Sequence, residues 1–113
     1  MVQYSPAALS SSFAALADPT RRGILERLGE GDTSISELAE LFGITLTGIK
    51  KHVTILEEAK LVTTEKIGRV RICKLGPRRL EEETAWIATY QQMLNERFNR
   101  LEAFLERTKG NHS

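Results

Sequence analysis

The chain has 113 residues, the length of one domain, and 41% of them are hydrophobic, an ordinary share for a globular protein. No run of apolar residues approaches the roughly 20 that a membrane-spanning helix needs, so we expect no membrane insertion. The one cysteine, Cys73, excludes an intramolecular disulfide framework and a cluster of cysteine metal ligands.

The net charge of +1 hides an uneven distribution of charge along the chain. Residues 45–79 contain nine Lys/Arg and three Asp/Glu, a net charge of +6. Residues 1–44 carry a net charge of −3, and residues 80–113 carry −2. A polyanion such as nucleic acid would therefore be attracted to the middle third and repelled by the other two.

The first predicted element is a helix over residues 7–17. Leu9, Phe13 and Leu16 recur at i, i+4 and i+7, which places them on one face of a helix.

Asp18 and Pro19 separate this helix from the next one. Proline disfavours the helical state in the residue before it and suits the first position of a helix, so Asp18 is expected to cap a helix over residues 19–29. Arg21 and Arg22 then lie in the first turn, the unfavourable end of the helix dipole for a cation. Their position indicates either an external anionic partner or a salt bridge to a nearby carboxylate.

A short strand is predicted at residues 33–35, and Ser36 is expected to cap a helix over residues 36–42. Gly43 follows where a helix commonly ends, because glycine adopts the left-handed conformation without steric cost. Thr45 is a suitable N-cap for the next helix, since its hydroxyl can accept a hydrogen bond from a free backbone amide.

The helix after Thr45 has two distinct faces. Ile49, Val53 and Leu56 recur at i, i+4 and i+7 and predict a buried stripe. Residues 36–59 therefore predict a helix-turn-helix whose second helix could enter a DNA major groove. An ordinary helix pair with a solvated lysine face is the alternative. The opposite face has two cations, several hydroxyls and no carboxylate: Thr47, Lys50, Lys51 and Thr54, with His52 towards one edge.

A β-hairpin is predicted over residues 61–75, because two short runs of β-branched residues flank Gly68. A helix-turn-helix followed by such a hairpin is a winged helix. Lys66, Arg69 and Arg71 make the hairpin tip basic, so it could reach a DNA minor groove or its phosphates. A charged, solubilising edge is the alternative role for Arg69 and Arg71.

One long helix is predicted over residues 78–107, and thirty residues span about 45 Å. Its apolar face would be partly exposed in a monomer, so a two-fold homodimer is the simplest arrangement that covers it. We favour a core and dimer contact over a ligand pocket. Residues at seven-residue spacing, with one aromatic residue between them, lie on this face: Ile87, Tyr90, Leu94 and Leu101.

The order of these elements and three local strings resemble the ArsR (arsenic-repressor-like) family of bacterial winged-helix regulators. The strings are ALADPTRRGILERL, SELAELFGITLTGIKKHVTILEEAKLV and GRVRICKL. The resemblance covers about residues 9–76, and the long terminal helix matches family members without a metal site. It implies a mainly α (α+β) fold in one domain over residues 1–113, a winged helix-turn-helix with a two-stranded β wing. It also implies long N- and C-terminal dimerisation helices at residues 7–17 and 78–107.

The resemblance also implies a function. We expect a cytoplasmic, nucleoid-associated transcriptional regulator, usually a repressor, that binds double-stranded DNA at a palindromic operator as a homodimer. No small-molecule inducer can be named. A winged-helix module for protein–protein assembly is the alternative, and no residue spacing suggests an enzyme. The candidate dimer contacts are Leu9, Phe13, Ile87, Tyr90, Leu94 and Leu101.

The family's DNA-contacting positions can be carried over to this sequence. Gly48 departs from the family pattern, which more often has a helix-favouring residue there, and it costs about 1 kcal/mol of helix propensity. It would permit close backbone approach to DNA or loosen the start of the helix. Base-facing candidates are Thr45, Leu46, Thr47, Gly48, Lys50 and Lys51. Phosphate-contacting candidates are His52, Thr54, Arg69 and Arg71.

Neither metal site of the family is expected here. Ser34 and Ser36 occupy the positions of the family's Cys-x-Cys pair, and hydroxyls are poor ligands for the metals that cysteine binds. The other family site uses Asp and His on the terminal helix, where this sequence has no histidine. We therefore predict no metal and no cofactor. Cys73 is expected to be a small apolar strand residue, with a redox sensor as the alternative.

Overall fold

The computed structural model describes residues 6–110, which contain five α-helices and three β-strands. They form two compact units, one ending at Leu80 and the other beginning at Glu81. The mainly α winged helix-turn-helix fold predicted from the sequence is confirmed. In chain order the elements are α1 (Pro6–Leu16), α2 (Pro19–Leu28), β1 (Thr33–Ser34), α3 (Ile35–Phe42), α4 (Leu46–Glu58), β2 (Val62–Ile67), β3 (Val70–Leu75) and α5 (Glu81–Gly110).

The core of the first unit forms around the inner face of α4. Ile49, Val53 and Leu56 are at most 1% exposed, as the i, i+4, i+7 pattern predicted. Ile24 of α2 and Leu38 of α3 are fully buried in the same cluster. Burial of each large aliphatic side chain contributes about 1.5–3 kcal/mol, so this stripe fixes the rotation of α4 and turns its other face outward.

The turn between α3 and α4 has the predicted chemistry. Gly43 ends α3 with φ of +64°, and the Thr45 hydroxyl accepts a 3.1 Å hydrogen bond from the amide of Gly48. The predicted cap of α3 was wrong by two residues: Ser34, not Ser36, accepts a hydrogen bond from the amide of Glu37, at 3.1 Å. Helix α3 therefore begins at Ile35, directly after β1.

The wing is part of a three-stranded antiparallel sheet with the order β1-β3-β2. The predicted hairpin is present, and β1 adds a short third strand at its base by pairing Thr33 with Cys73 and Ser34 with Ile72. Side chains alternate across a strand, so Arg71 shares the face of Cys73, which is fully buried. The wing therefore directs Arg71 to its core-facing side.

Both terminal helices differ in detail from the predicted bounds. Helix α5 begins at Glu81 rather than residue 78, and Leu80 adopts the left-handed region with φ of +60°, which interrupts any helix before it. The buried positions of α1 are Ser12 and Ala15, whereas the predicted apolar face at Leu9 and Phe13 is only partly buried. Small residues therefore allow α1 to pack closely on the core.

Candidate nucleic-acid interface

The outer face of α4 is exposed along the middle of the helix. Ile49 and Val53 hold the inner face in the core. The hydroxyl of Thr54 donates to the carbonyl of Lys50 at 2.9 Å, which uses the hydroxyl hydrogen within the helix. The surface therefore offers two cations and a row of hydroxyl groups to solvent. One shallow depression with a volume of about 470 Å³ is lined by Thr47, Lys50, Lys51, Thr54 and Ile55.

The beginning of α4 supplies the other candidate base-facing residues. Thr45 is exposed, and Leu46 has 45% of its surface exposed just before the cationic face. A Cβ added to Gly48 would lie 3.2 Å from the Thr45 hydroxyl oxygen, which is a tight contact. Glycine at this position therefore leaves room for the capping hydroxyl of Thr45. It also leaves the backbone of residue 48 uncovered by a side chain.

The wing places its two candidate arginines differently. Arg69 follows Gly68 in the tight turn at the tip and is exposed. Arg71 lies on the core-facing side, where its guanidinium donates to the Thr64 hydroxyl at 2.9 Å. Thr64 in turn donates to the carboxylate of Glu57 on α4 at 3.1 Å. The structure thus ties Arg71 to α4 through one hydroxyl group.

His52 does not share the open surface of Lys50 and Lys51. Its side chain is 25% exposed, and Nδ1 lies 3.2 Å from Nη1 of Arg21 and 3.8 Å from the carboxylate of Asp18. The backbone amide of Arg21 donates to that carboxylate and, more than the nearby charges of His52 and Arg21, keeps the pKa of Asp18 below its ordinary value. His52 thus faces the junction of α1 and α2.

Arg21 and Arg22 have a structural role that the sequence did not reveal. Arg21 donates from Nε to the carbonyl of Ala15 at 2.8 Å and from Nη2 to that of Ala14 at 2.9 Å. Arg22 donates to the carbonyl of Leu16 at 2.8 Å. These carbonyls end α1 and carry its negative dipole end, so cations at the unfavourable end of α2 are favourable at the end of α1.

Helix α5, considered by itself, exposes a broad apolar face. Ile87, Tyr90 and Leu101 are 44%, 46% and 54% exposed, and Leu94 is partly buried. Trp86 stacks on Tyr90 with ring centroids 5.6 Å apart. Met93, Phe98, Phe104 and Leu105 are more than half exposed as well. A contiguous apolar surface of this extent is typical of an interaction site.

Cys73 has the character of a core residue. Its side chain is fully buried, and burial raises the pKa of the thiol to about 11, with the charge of Glu57 acting in the same direction. A protonated thiol is a poor nucleophile and a poor metal ligand, which favours the apolar role over a redox sensor.

Residues 6–110 contain neither a metal-binding cluster nor a membrane-spanning helix. In that range no three His, Cys, Asp or Glu side chains are grouped so that they could hold a metal ion. Ser34, one of the two serines compared above with a Cys-x-Cys pair, uses its hydroxyl to cap α3. No helix of the same range has both the length and the apolar character needed to cross a membrane.

A helix-turn-helix with an exposed, cationic second helix and a basic hairpin beside it defines a winged-helix DNA-binding protein. Residues 16–65 match the model of a helix-turn-helix domain family. The chain is 30% identical over 82 residues to the transcriptional repressor SdpR of Bacillus subtilis. The aligned region covers 73% of this chain and 91% of the repressor. This chain is a DNA-binding transcriptional regulator.

Solved structures agree with this assignment. The crystal structure of an ArsR family transcriptional regulator is 41% identical, with a TM-score of 0.76 over 84% of this chain and 97% of the other. This chain therefore belongs to the ArsR family. The solution structure of a homodimeric winged helix-turn-helix DNA-binding domain from Mycobacterium bovis has a TM-score of 0.61 at 21% identity, over 88% of this chain and 95% of that domain, and so shares the fold.

Proposed function

We propose that this regulator is a repressor that binds a palindromic DNA operator as a homodimer. The observation that carries the proposal is the outward face of α4, where Thr47, Lys50 and Lys51 are all exposed. Repression is supported by similarity to a protein named as a transcriptional repressor. We assign the protein no catalytic activity and place its action in the cytoplasm, on the nucleoid.

The proposed residue roles follow from the position of each side chain. Exposed residues on the outer face and at the beginning of α4 read base edges: Thr45, Leu46, Thr47, Lys50 and Lys51. Gly48, which is partly exposed, faces the bases with its backbone. Thr54, Arg69 and Arg71 contact phosphates, because they flank that face or extend from the wing. His52 can act only from the edge of this surface, since its Nδ1 faces Arg21.

The homodimer is proposed from the apolar face of α5. A helix of 30 residues with Ile87, Tyr90 and Leu101 about half exposed would be costly to leave in water. A two-fold axis then presents two copies of α4 to successive major grooves, which requires an operator with inverted half-sites. Partly buried Leu9 and Phe13 of α1 are the second group of proposed contacts.

The direct test is a nuclease footprint of the purified protein on the DNA upstream of its own gene. We expect one protected palindrome and binding that weakens steeply with salt, because each neutralised phosphate releases counterions. Absence of protection at any salt concentration, together with a specific protein partner, would favour the assembly module instead.

A pair of double variants tests the reading face. Lys50→Ala/Lys51→Ala should abolish specific operator binding in a gel shift. The matched control Arg27→Ala/Lys74→Ala loses the same charge at side chains bonded elsewhere, to the carbonyl of Gly31 and the carboxylate of Glu65. If both double variants bound the operator equally well, α4 would not be the reading helix.

A further inference from the structure

The imidazole of His52 lies where α4 meets the junction of α1 and α2. Its Nδ1 lies 3.2 Å from Nη1 of Arg21 and 3.8 Å from the carboxylate of Asp18. One ring nitrogen therefore has a cation and an anion beside it, and the two require opposite behaviour of that nitrogen. A guanidinium needs an acceptor, whereas a carboxylate needs a donor.

A proton on Nδ1 decides which of the two contacts can form. Nδ1 of His52 accepts from Arg21 only while it carries no proton. A protonated Nδ1 can only donate, and the imidazolium then repels the guanidinium and attracts the carboxylate of Asp18. Histidine is the residue type whose charge ordinarily changes between pH 5 and 8. Proton uptake by this ring therefore exchanges one partner for the other.

The carboxylate of Asp18 is ready to become that partner. It caps α2 by accepting from the backbone amide of Arg21 at 3.1 Å, and chiefly this hydrogen bond keeps its pKa below the ordinary value of 3.8. The group is therefore ionised throughout the range in which histidine titrates. A carboxylate has about four lone-pair sites, so the bond from the amide leaves others for an imidazolium.

Other charged groups around His52 do not take part in this exchange. Among the described residues, the charged side chains within hydrogen-bond or ion-pair distance of His52 are Asp18 and Arg21. Helix α1 has no charged residue at all. On α2, Arg22 and Arg27 each donate to a backbone carbonyl. The two lysines that precede His52 on α4 belong to its exposed outer face.

The exchange changes how α4 is joined to α1. Arg21 also donates to the carbonyls of Ala14 and Ala15 at the end of α1, and these accept whatever the charge of His52. Protonation of His52 therefore removes the bond through which Arg21 holds α4 and leaves its bonds to α1 intact. Helix α4 is then joined to the cap of α2 at Asp18 instead of to the end of α1.

We propose that His52, Arg21 and Asp18 form a proton switch, in which His52 accepts from Arg21 when neutral and donates to Asp18 when protonated. Operator binding weakens as the pH falls, because α4 loses its link to α1. The effect on the operator rests on the proposed function, whereas the exchange of partners does not.

The first test follows the full chain without DNA by NMR from pH 8 to pH 5. We expect the amide and the side-chain Nε–H of Arg21 to shift with the same midpoint as the ring protons of His52. These Arg21 shifts should disappear in His52→Gln. The control is His112→Gln, which removes the other histidine of the chain and should leave the shifts unchanged. Persistence of the Arg21 shifts in His52→Gln would overturn the switch.

A second pair of variants tests the part of Asp18. Asp18→Asn removes the charge but keeps a good N-cap for α2. It should move the titration of the His52 ring to lower pH, because the imidazolium loses its anionic partner. Asp32→Asn is the matched control, since Asp32 is an exposed acid in the turn after α2, and it should leave the titration in place. Equal titrations in the two variants would overturn the role of Asp18.

The third test measures operator affinity by fluorescence anisotropy at pH 8 and pH 5 and at constant ionic strength. Wild type and His112→Gln should bind about tenfold more weakly at pH 5, the scale of one hydrogen bond to a charged group. His52→Gln should bind equally at both, because its amide oxygen can accept from Arg21 at every pH. Circular dichroism confirms that each protein is folded at both pH values.

The outcomes separate the switch from the proposed function. Tighter wild-type binding at pH 5 would overturn the regulatory effect, since the imidazolium would then act only as an added attraction for DNA. An equal pH response in wild type and His52→Gln would overturn it as well. Failure to bind DNA at any pH, with the NMR exchange present, would overturn the proposed function and leave the exchange of partners standing.

Discussion

Nη1 of Arg21 lies 3.2 Å from Nδ1 of His52, so an arginine at the start of α2 contacts α4 directly. A guanidinium can only donate, so Nδ1 of His52 is the acceptor in this contact. The same guanidinium bonds the carbonyls of Ala14 and Ala15 that end α1. One side chain therefore joins three helices of the first unit.

Arg21→Gln should destabilise the fold by about 2 kcal/mol, because two helix-end carbonyls and an imidazole nitrogen lose a charged donor. Urea unfolding followed by circular dichroism measures the change. Arg22→Gln is the control, since Arg22 donates to the single carbonyl of Leu16 at an exposed site, and it should cost clearly less. Equal losses in the two variants would contradict the clamping role of Arg21.

Substitutions at Thr45 and Gly48, the two residues of the α4 cap, should change stability in opposite directions. Thr45→Ala leaves the amide of Gly48 without its 3.1 Å partner and should cost about 1 kcal/mol, while Thr45→Ser should be near neutral. Gly48→Ala should stabilise by less than the roughly 1 kcal/mol of helix propensity, because its Cβ crowds the cap at 3.2 Å. Thermal melts test both.

Gly48→Ala should nevertheless weaken operator binding, if the backbone there approaches the DNA. A gel shift on the footprinted operator gives the result, with Thr45→Ser as the variant that should keep full affinity. An unchanged affinity of Gly48→Ala would show that the departure from the family pattern has no part in DNA contact.

Cys73 predicts a loss of stability at alkaline pH. Burial raises the folded-state pKa of its thiol to about 11, against an ordinary value of 9.0, so the unfolded chain releases the proton first as pH rises. The buried, protonated thiol thus contributes stability on the order of 2 kcal/mol. This stability is fully present below pH 9 and is lost as pH rises through 11. The free energy of unfolding, measured with urea between pH 8 and 11, should therefore fall more steeply with pH for the wild type than for Cys73→Ala.

The apolar face of α5 predicts the oligomeric state. Leu101→Glu places a charge among exposed apolar side chains and should convert a dimer to monomers in sedimentation equilibrium, with loss of operator binding. Ala103→Glu is the matched control, because Ala103 lies two residues away on a different face of the same helix. A wild-type protein that sedimented as a monomer would rule out the dimer.

Elements governed by neighbouring residues could be predicted from the sequence. The caps at Asp18 and Thr45, the left-handed Gly43 and the buried stripe of α4 depend on contacts within one or two turns. The Ser34 cap was missed although its signal was present, because a serine followed three residues later by Glu37 is a capping box.

Features that depend on distant residues could not be predicted. The role of Arg21 requires the end of α1 to lie beside α4, and no local pattern encodes that geometry. The alternation of β3 gave two faces for the wing, but only the burial of Cys73 identifies which face meets α4 and carries Arg71. The contact of Arg71 with Thr64, and through it with Glu57 of α4, therefore became visible only in the folded chain.

The third strand has a consequence for how the wing can change length. Strand β1 pairs with β3 only at Ile72 and Cys73, so the outer part of β3, where Val70 lies opposite Ile67, pairs with β2 alone. Residues could be inserted there without touching the core. A single residue inserted between Arg71 and Cys73 would turn Arg71 to the opposite face of the sheet, whereas residues added to both strands beyond Arg71 would leave its face unchanged.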